Sequence, residues 1–391
     1  MPARPTHVAL NAQLLAGQAS YRSAGIHHYI DRLLRHLPQA DPDLRFTIFA
    51  GAGSSVLPGA VMRRTRLPTG RPLVRIFWEQ FLQPLALARL RPDLLHSMAF
   101  VSPVLPAPPT VVTVYDLSFK LMPERFRPAQ RLYLGALTAH SCRRARRVIA
   151  ISESTRADLQ RYFGLPRDKI DVAYPGLDPA FRPLPAAQVE AFRSRRGLPP
   201  RFILYLGTLE PRKNLGALVQ AFASLRASQP GLFLVLAGAR GWWYQDLLRQ
   251  VDELGLAEAV TFPGFVPDEE LPWWYNAAAV FAYPSSYEGF GLPVAEALAC
   301  GRPVVTSAVA SLPEAGGDAA LLAPPGDVAA LADALACALR LGPDELARGP
   351  AHAARFTWAG TAAQTVASYR RALHLAPAAG HAPAPWSAQG S

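Results

Sequence analysis

The chain has 391 residues, of which 50% are apolar, and a formal net charge of +11 from 40 Lys and Arg against 29 Asp and Glu. This length favours two domains over one, and the apolar content is sufficient for two buried cores. No apolar run reaches the roughly 18 residues of a membrane-spanning helix, no P-loop string occurs, and Cys142, Cys300 and Cys337 lack the spacing of a metal site. The sequence therefore excludes a membrane-spanning transporter, a P-loop kinase and a cysteine-ligated metal protein.

The cellular setting follows from the N-terminus, the cysteines and the charge. The first seven residues lead into a strand pattern without the apolar core of a signal peptide, and dispersed cysteines fit a reducing compartment. We therefore expect a cytoplasmic protein. Basic segments interleaved with apolar residues, such as Ile76-Phe77-Trp78, can dock on an anionic membrane at the inner face of the cell. An arginine-rich proteome explains the charge equally well, and no nucleic-acid recognition motif is present.

Alternating strand and helix patterns begin at Val8 and predict a first α/β domain over residues 1–181. Its first strand, Val8 to Leu10, is followed by Ser23-Ala24-Gly25-Ile26 and by a helix that begins near His27. Gly25 would permit the close approach of a phosphate, and a turn or packing glycine is equally compatible with the sequence.

Two further strings in this domain resemble ligand motifs and are better explained as loops. Residues 51–56 lack the third glycine of a dinucleotide fingerprint, and Pro58 blocks the helix that should follow it. Asp41-Pro42-Asp43 mimics a metal-binding Asp-x-Asp, but it links a helix to a strand and predicts a surface turn.

A proline-marked link, Arg182-Pro183-Leu184-Pro185, separates a second α/β pattern over residues 186–356. The last predicted helix runs from about Thr357 to His374 and would return to the first domain. The tail, residues 375–391, is rich in Ala, Pro and Gly, which predicts disorder.

The first motif of the second domain is Gly207-Thr208-Leu209-Glu210-Pro211-Arg212-Lys213-Asn214, which follows the apolar strand Phe202 to Leu206. Pro211 fixes the loop, and Asn214 is a good N-cap for the helix that follows. Arg212 can pair with a diphosphate through two nitrogens, and Lys213 acts as a point charge. A solvated basic turn is the alternative.

The second motif is Glu288-Gly289-Phe290-Gly291-Leu292-Pro293-Val294-Ala295-Glu296, which places the first carboxylate on a loop and the second about one turn into a helix. Backbone N–H groups near Gly289, Gly291 and Leu292 would lie at the helix N-terminus, where an anion is favoured. Hydroxyl groups on either side of that anion could bind the carboxylates. A phosphate between two polyhydroxylated parts describes a nucleotide sugar, whereas helix capping by Glu288 and solvation of Glu296 is the alternative.

Together these two motifs resemble the retaining glycosyltransferases of family four, which include many bacterial mannosyltransferases. Three connecting strings extend the resemblance: Val148-Ile149-Ala150-Ile151-Ser152-Glu153-Ser154, Val172-Ala173-Tyr174-Pro175-Gly176-Leu177-Asp178 and Gly264-Phe265-Val266-Pro267-Asp268-Glu269-Glu270-Leu271. The resemblance implies the GT-B fold, in which two Rossmann-like parallel-sheet domains face a deep cleft. The first domain would receive the acceptor and the second would hold the nucleotide sugar.

The resemblance also implies roles for individual residues. Arg212, Lys213 and Glu288 would be catalytic: the cations would neutralise the leaving diphosphate, and Glu288 would bind the hydroxyls of the transferred sugar. Glu296 would bind the ribose. The remaining donor-binding residues would be Gly25, Gly207, Val266, Gly289, Phe290, Gly291 and Leu292, with Val266 against the base through its backbone.

The chain departs from the family pattern at Val114-Tyr115-Asp116. Family members frequently have His-Asp there, and the histidine orients the transferred sugar. Tyr115 and Asp116 are therefore the sugar-side or acceptor-side candidates, but a phenol cannot become a cation near neutral pH.

The expected reaction is transfer of a hexose, mannose first, with retention, from a nucleoside diphosphate sugar to a hydroxyl of a glycan or lipid-linked acceptor in cell-surface polysaccharide synthesis. GDP-mannose is the first choice of donor and a UDP-sugar is the second. Neither a cofactor nor a metal is expected. The alternatives are an epimerase or phosphorylase of the same fold, and a non-catalytic subunit that binds a nucleotide sugar.

Overall fold

The structure is a computed structural model, and it describes residues 4–15, 24–51, 59–105, 107–241 and 244–376. The chain forms two compact units, one comprising Met1–Gly176 with Thr357–Ser391 and the other Leu177–Phe356. Some sequence predictions lie outside the described residues: Ser23 of the first turn, nearly all of the loop at 51–56, and the tail from residue 377 onwards.

The first unit contains a parallel sheet in the order β3-β2-β1-β4-β5-β6-β7 over its described residues. Its strands are β1 (Thr6–Ala12), β2 (Leu44–Ala50), β3 (Ala60–Arg64), β4 (Leu94–Ser97), β5 (Thr110–Val114), β6 (Arg147–Ala150) and β7 (Ile170–Val172). The inner strands are continuous apolar runs because helices cover both faces of a parallel sheet. The order reverses between β1 and β4, which is the Rossmann arrangement.

The described helices of this unit are α1 (Ala24–Ala40), α2 (Pro72–Phe77), α3 (Gln83–Leu90), α4 (Ser118–Leu121), α5 (Pro128–Arg144) and α6 (Glu153–Phe163). A π-helical turn, Trp78–Leu82, joins α2 to α3 without a break, since the N–H of Gln83 donates to the carbonyl of Trp78, five residues earlier. Pro84 has no N–H to donate, and the wider turn accommodates it inside one helix that runs from Pro72 to Leu90.

The C-terminal helix, Trp358–Ala372, packs on α1 and on strands β5, β6 and β7 of the first unit. Tyr369 contacts His96 Nδ1 at 2.7 Å, and Arg370 Nε donates to Asp41 Oδ2 at 2.7 Å. The Asp41 side chain is only 2% exposed. Pro42 and Asp43 form the exposed turn that the sequence predicts, whereas the Asp41 carboxylate is buried because it pairs with an arginine far along the chain.

The second unit contains a parallel sheet in the order β10-β9-β8-β11-β12-β13 over its described residues. Its strands are β8 (Phe202–Leu206), β9 (Phe233–Ala237), β10 (Val260–Gly264), β11 (Val280–Tyr283), β12 (Val304–Ser307) and β13 (Ala320–Ala323). Its described helices are α7 (Ala186–Arg195), α8 (Leu215–Ser228), α9 (Tyr244–Glu253), α10 (Leu271–Ala277), α11 (Leu292–Ala299), α12 (Leu312–Gly316), α13 (Val328–Ala338) and α14 (Pro343–Ala353). The predicted fold class, two Rossmann-like parallel sheets, is confirmed.

Candidate active site

The two sequence motifs of the second unit meet at one edge of its sheet. Strands β8 and β11 are neighbours at the point where the strand order reverses, and ligands of open α/β sheets bind beyond the carboxyl ends of the strands at such a point. The loop after β8 carries Arg212 and Lys213, and the loop after β11 carries Glu288. The topology therefore brings residues about 75 positions apart to one place.

Arg212, Lys213 and Glu288 form a contiguous ionic cluster. Nη1 of Arg212 and Nζ of Lys213 each lie 2.5 Å from Oε1 of Glu288. The same oxygen accepts hydrogen bonds from Ser285 Oγ at 2.6 Å and from Tyr283 at 3.2 Å. The cations of the first motif and the first carboxylate of the second are therefore in direct contact.

The electrostatics of Glu288 are dominated by its neighbours. Burial alone would raise the pKa of this carboxyl group, but Lys213 and Arg212 outweigh that effect through charge and hydrogen bonding and hold the pKa well below its usual range. Burial opposes ionisation of Arg212 too, yet Glu288 and Glu210 raise the pKa of the guanidinium above its ordinary value. Both groups are therefore charged at neutral pH.

The charge of Lys213 is more sensitive to pH than that of Arg212. Its side chain is 7% exposed, its ammonium lies 4.6 Å from the centre of the Tyr283 ring, and it donates to the Tyr283 hydroxyl. Burial, followed by the charge of Arg212, lowers the pKa of Lys213 to about 8 despite the opposing effect of Glu288. This ammonium is therefore charged at neutral pH and loses its proton in mildly alkaline solution.

Hydrogen bonds to backbone carbonyl groups hold the two loops together. The N–H of Ser286 donates to the carbonyl of Arg212 at 2.8 Å, and Nη1 of Arg212 donates to the carbonyl of Tyr287 at 2.7 Å. Ser311 Oγ donates to the carbonyl of Glu288 at 2.8 Å. These bonds fix the two cations relative to the carboxylate.

Helix α11 begins at Leu292, in the middle of the second motif. Gly291 precedes it with a φ of +100°, and a Cβ at this position would lie 2.8 Å from a methyl carbon of Leu312. The positive φ favours glycine here, and any larger residue would also displace the Leu312 side chain. Phe290 is buried, with its ring centre 5.0 Å from that of Phe356. Leu292 is the first residue of the helix, so its N–H is one of the groups that have no acceptor inside an α-helix.

Glu296 lies in the second turn of α11 and contacts a different partner. Tyr275 donates its hydroxyl hydrogen to Glu296 Oε2 at 2.8 Å. Burial, with a contribution from Asp268 and Asp178, raises the pKa of Glu296 to about 7 even though the Tyr275 hydrogen bond opposes the rise. The second carboxylate therefore stands apart from the cluster of Arg212, Lys213 and Glu288.

The other predicted donor-binding residues lie along the same edge of the sheet. Gly207 directly follows β8 and has a φ of +148°, and a Cβ on Gly238, which directly follows β9, would lie 1.9 Å from the Gly207 carbonyl oxygen. Val266 follows β10 and is buried. Asn214 precedes α8, as predicted, but it adopts a left-handed conformation with a φ of 54° and its side chain makes no capping hydrogen bond.

Three candidate site residues, Gly25, Tyr115 and Asp116, lie in the first unit. A Cβ on Gly25 would meet no heavy atom within 4 Å, so packing does not require glycine in this first turn of α1. Tyr115 is buried, and its hydroxyl donates to the carbonyl of Met98 at 2.7 Å. Asp116 accepts the N–H of Ser118 at 2.8 Å. The expectation that Tyr115 replaces a sugar-binding histidine gains no support, because its only hydroxyl hydrogen is already donated.

Sequence reasoning missed the side chains that surround the two carboxylates. Tyr283 and Ser285 bind Glu288, and Tyr275 binds Glu296. The only available signal was the run of hydroxyl-bearing residues from Tyr283 to Tyr287 between strand and motif. Within the described ranges, no cluster of three or more His, Cys, Asp or Glu side chains is suited to hold a metal ion.

Comparisons with known proteins identify the family of the chain. Residues 23–181 match Glycosyltransferase Family 4, and residues 188–355 match Glycosyl transferases group 1. The O-antigen chain mannosyltransferase B of Escherichia coli is 38% identical over 273 residues, which are 66% of this chain and 70% of that protein.

Solved structures extend the likeness to the whole fold. Sucrose-phosphate synthase from Thermosynechococcus elongatus has a TM-score of 0.70 at 24% identity, over 94% of this chain and 98% of that one. Anabaena HepE in complex with UDP and glucose has a TM-score of 0.67 at 19% identity, over 93% of this chain and 99% of that one. At these identities the two structures establish the fold alone. Taken with the two domain matches and the relative from Escherichia coli, they show that the chain belongs to the family-four glycosyltransferases of GT-B fold and is a glycosyltransferase enzyme.

Proposed function

We propose that the enzyme transfers a hexose, with retention at the anomeric carbon, from a nucleoside diphosphate sugar to a hydroxyl of a glycan or lipid-linked acceptor in cell-surface polysaccharide synthesis. The observation that carries the proposal is the contact of Arg212 and Lys213 with Glu288 at the carboxyl ends of β8 and β11. Mannose is the first choice because the Escherichia coli relative is named an O-antigen chain mannosyltransferase. GDP-mannose is therefore the leading donor, and a UDP-sugar is the second because HepE was solved with UDP and glucose.

The second unit binds the donor in this proposal, and the first unit receives the acceptor. The diphosphate lies against Arg212 and Lys213, with the N-terminus of α11 at Gly291 and Leu292 supplying backbone donors. Val266 meets the base through its backbone, and Glu296 accepts hydrogen bonds from the ribose hydroxyls. Ionised carboxylates accept hydrogen bonds well, so Glu296 binds ribose best above pH 7, where it is charged.

Glu288 binds the transferred sugar while it balances the cations. Its Oε1 forms ion pairs with Arg212 and Lys213 and accepts hydrogen bonds from Ser285 and Tyr283. All four contacts use one oxygen, so Oε2 is the acceptor for a sugar hydroxyl. A diphosphate that approaches Arg212 and Lys213 competes with Glu288 for them, which couples departure of the leaving group to the position of the sugar.

The chemical step needs charge stabilisation above all. The bond from the anomeric carbon to the phosphate oxygen breaks, and negative charge grows on the diphosphate while the sugar becomes oxocarbenium-like. Preorganised cations stabilise that charge. The acceptor oxygen bonds to the anomeric carbon on the face that the phosphate leaves, and the acceptor's proton passes to a phosphate oxygen. No side-chain base is needed in this scheme.

The test combines the purified enzyme, a panel of nucleotide sugars and a lipid-linked acceptor. Release of nucleoside diphosphate that depends on acceptor, with the donor's anomeric configuration retained in the product by NMR, is the expected result. Tight donor binding without transfer to any lipid-linked acceptor would instead favour a non-catalytic binding subunit. Turnover of donor with water or phosphate alone would favour an epimerase or phosphorylase.

A further inference from the structure

The helix that runs from Pro72 to Leu90 exposes a line of large apolar side chains. Leu73, Phe77, Phe81 and Leu85 are 81%, 50%, 57% and 58% exposed, and the rings of Phe77 and Phe81 lie 5.4 Å apart. Scattered apolar side chains are normal on a protein surface, but a contiguous set marks an interaction site. The opposite side of the helix buries Trp78 and Leu87 in the core of the first unit.

The π-helical turn at Trp78–Leu82 keeps this line on one face. In a regular α-helix each residue advances by about 100°, so a step of four residues drifts by about 40° around the axis. Three such steps would carry Leu85 far from Leu73. A π turn holds more residues than an α turn, so the step from Phe77 to Phe81 drifts the other way and the four side chains stay together.

A neighbouring loop enlarges the line into a surface. Val104 and Leu105 are 40% and 49% exposed. The N–H of Val104 donates to Oε1 of Gln80 at 3.0 Å, and Nε2 of Gln80 donates to the carbonyl of Ser102 at 3.4 Å. These bonds hold the loop against the helix. The docking face is defined here as the exposed apolar residues Leu73, Phe77, Phe81, Leu85, Val104 and Leu105.

The chain segment that carries the docking face has an excess of positive charge. Residues 59–105 contain seven arginines and two acidic residues, Glu79 and Asp93. Both acidic groups are engaged elsewhere, since Glu79 Oε1 accepts from Asn11 Nδ2 at 3.2 Å and Asp93 Oδ2 accepts from the N–H of His7 at 2.7 Å. Arg71 and Arg89, near the two ends of the helix, are exposed.

We propose that the docking face binds the surface of an anionic lipid bilayer. Apolar side chains on one face of a helix insert into the boundary between headgroups and acyl chains, and flanking arginines attract anionic lipid. The described residues contain no helix that is long and apolar enough to cross a membrane, so binding would be peripheral. A protein partner would need an acidic rim to satisfy these arginines, whereas an anionic bilayer supplies negative charge at every point of the face.

The test is flotation of the full-length protein with vesicles of phosphatidylcholine, with or without anionic phosphatidylglycerol, in low and high salt. No nucleotide sugar is added, so the result is independent of the proposed function. We expect at least tenfold stronger partitioning onto the anionic vesicles, and high salt should weaken it because screening shortens the range of charge attraction.

Variants separate the apolar and the ionic contributions. Phe77→Gln with Phe81→Gln should reduce partitioning by about tenfold or more, whereas Leu254→Gln with Leu322→Gln, which alters side chains 42% and 41% exposed in the second unit, should leave it unchanged. Arg71→Gln with Arg89→Gln should reduce partitioning by about 25-fold, at about 1 kcal/mol or fivefold per arginine. The exposed pair Arg340 and Arg348 of the second unit provides the matched control.

Three results would overturn the proposal. One is equal binding to neutral and anionic vesicles, and another is wild-type binding by folded variants of the docking face. The third is absence of vesicle binding together with self-association that Phe77→Gln and Phe81→Gln abolish in sedimentation velocity. That last result would make the docking face an interface between two copies of the chain.

Discussion

Replacing Lys213 with methionine removes one of the two cations that we assign to the leaving diphosphate, and keeps the length of its buried stem. The ammonium already lies 2.5 Å from one anionic oxygen, on Glu288, and its side chain is 7% exposed. At about 4 Å and an effective dielectric constant of 20, a pair of unit charges interacts by about 4 kcal/mol. Loss of one preorganised donor typically lowers turnover by about 10²–10³-fold, and we expect Lys213→Met to fall in that range.

The same charge can be removed without mutation by raising the pH. Burial and Arg212 lower the pKa of Lys213 to about 8, so the ammonium is present below pH 8 and is lost above it. In the wild type, kcat/KM for the donor should therefore fall about tenfold for each pH unit above 8, since kcat/KM reports the free enzyme. Bound diphosphate is anionic and favours the ammonium, so the corresponding fall in kcat should occur at higher pH.

The assay is steady-state release of nucleoside diphosphate between pH 6.5 and 9.5, with thermal unfolding as a check that each variant is folded. Lys213→Arg provides the matched control because a guanidinium stays protonated throughout this range; whatever activity it retains should show no alkaline decline. A wild-type kcat/KM that is flat to pH 9.5, together with nearly normal turnover by Lys213→Met, would refute the role of this residue.

Three further predictions concern other residues. Arg212→Ala should lower turnover by about a hundredfold or more, while Arg249→Ala, at an exposed position of the same unit, should have no effect; equal rates would remove Arg212 from the mechanism. Glu296 is protonated below its pKa of about 7, so calorimetric affinity for a nucleoside diphosphate should weaken more steeply from pH 8 to pH 5.5 in the wild type than in Glu296→Gln. The terminal phosphate of the ligand takes up a proton near about pH 6 with both proteins, so parallel curves would contradict the ribose contact. Arg370→Met leaves the buried Asp41 unpaired and should reduce the free energy of unfolding by about 3–5 kcal/mol, measured in urea, with affinity for nucleoside diphosphate unchanged.

The sequence predicted the fold through apolar runs bounded by Gly and Pro. Each motif directly follows such an apolar run. In a parallel sheet this places both motifs at the edge formed by the carboxyl ends of the strands. The sequence did not predict the direct contact of Lys213 with Glu288, which forms because β8 and β11 are neighbours and bring their following loops to the same edge. The strand predicted from Phe202 to Leu206 has those bounds in the structure, and Glu296 lies about one turn into a helix, as predicted.

Contacts between residues that are far apart in the sequence could not be predicted. The burial of Asp41 depends on Arg370, 329 positions away, and no local pattern shows such a pairing. The hydrogen bond from Tyr115 to Met98 likewise depends on how a loop folds after β4. Pro84 would ordinarily end a helix, and only the π turn before it allows the helix to continue. The sequence indicated that the segment around Ile76-Phe77-Trp78 can dock on a membrane, but the line of exposed apolar residues is apparent only when Pro72 to Leu90 is one helix.

The most direct test of the central claim is a crystal structure with bound GDP or UDP. The account predicts diphosphate oxygens within hydrogen-bonding distance of Arg212 and Lys213, with the ribose hydroxyls on Glu296. A well-ordered nucleotide bound elsewhere, with Arg212 and Lys213 still paired to Glu288 and contacting no phosphate, would contradict it.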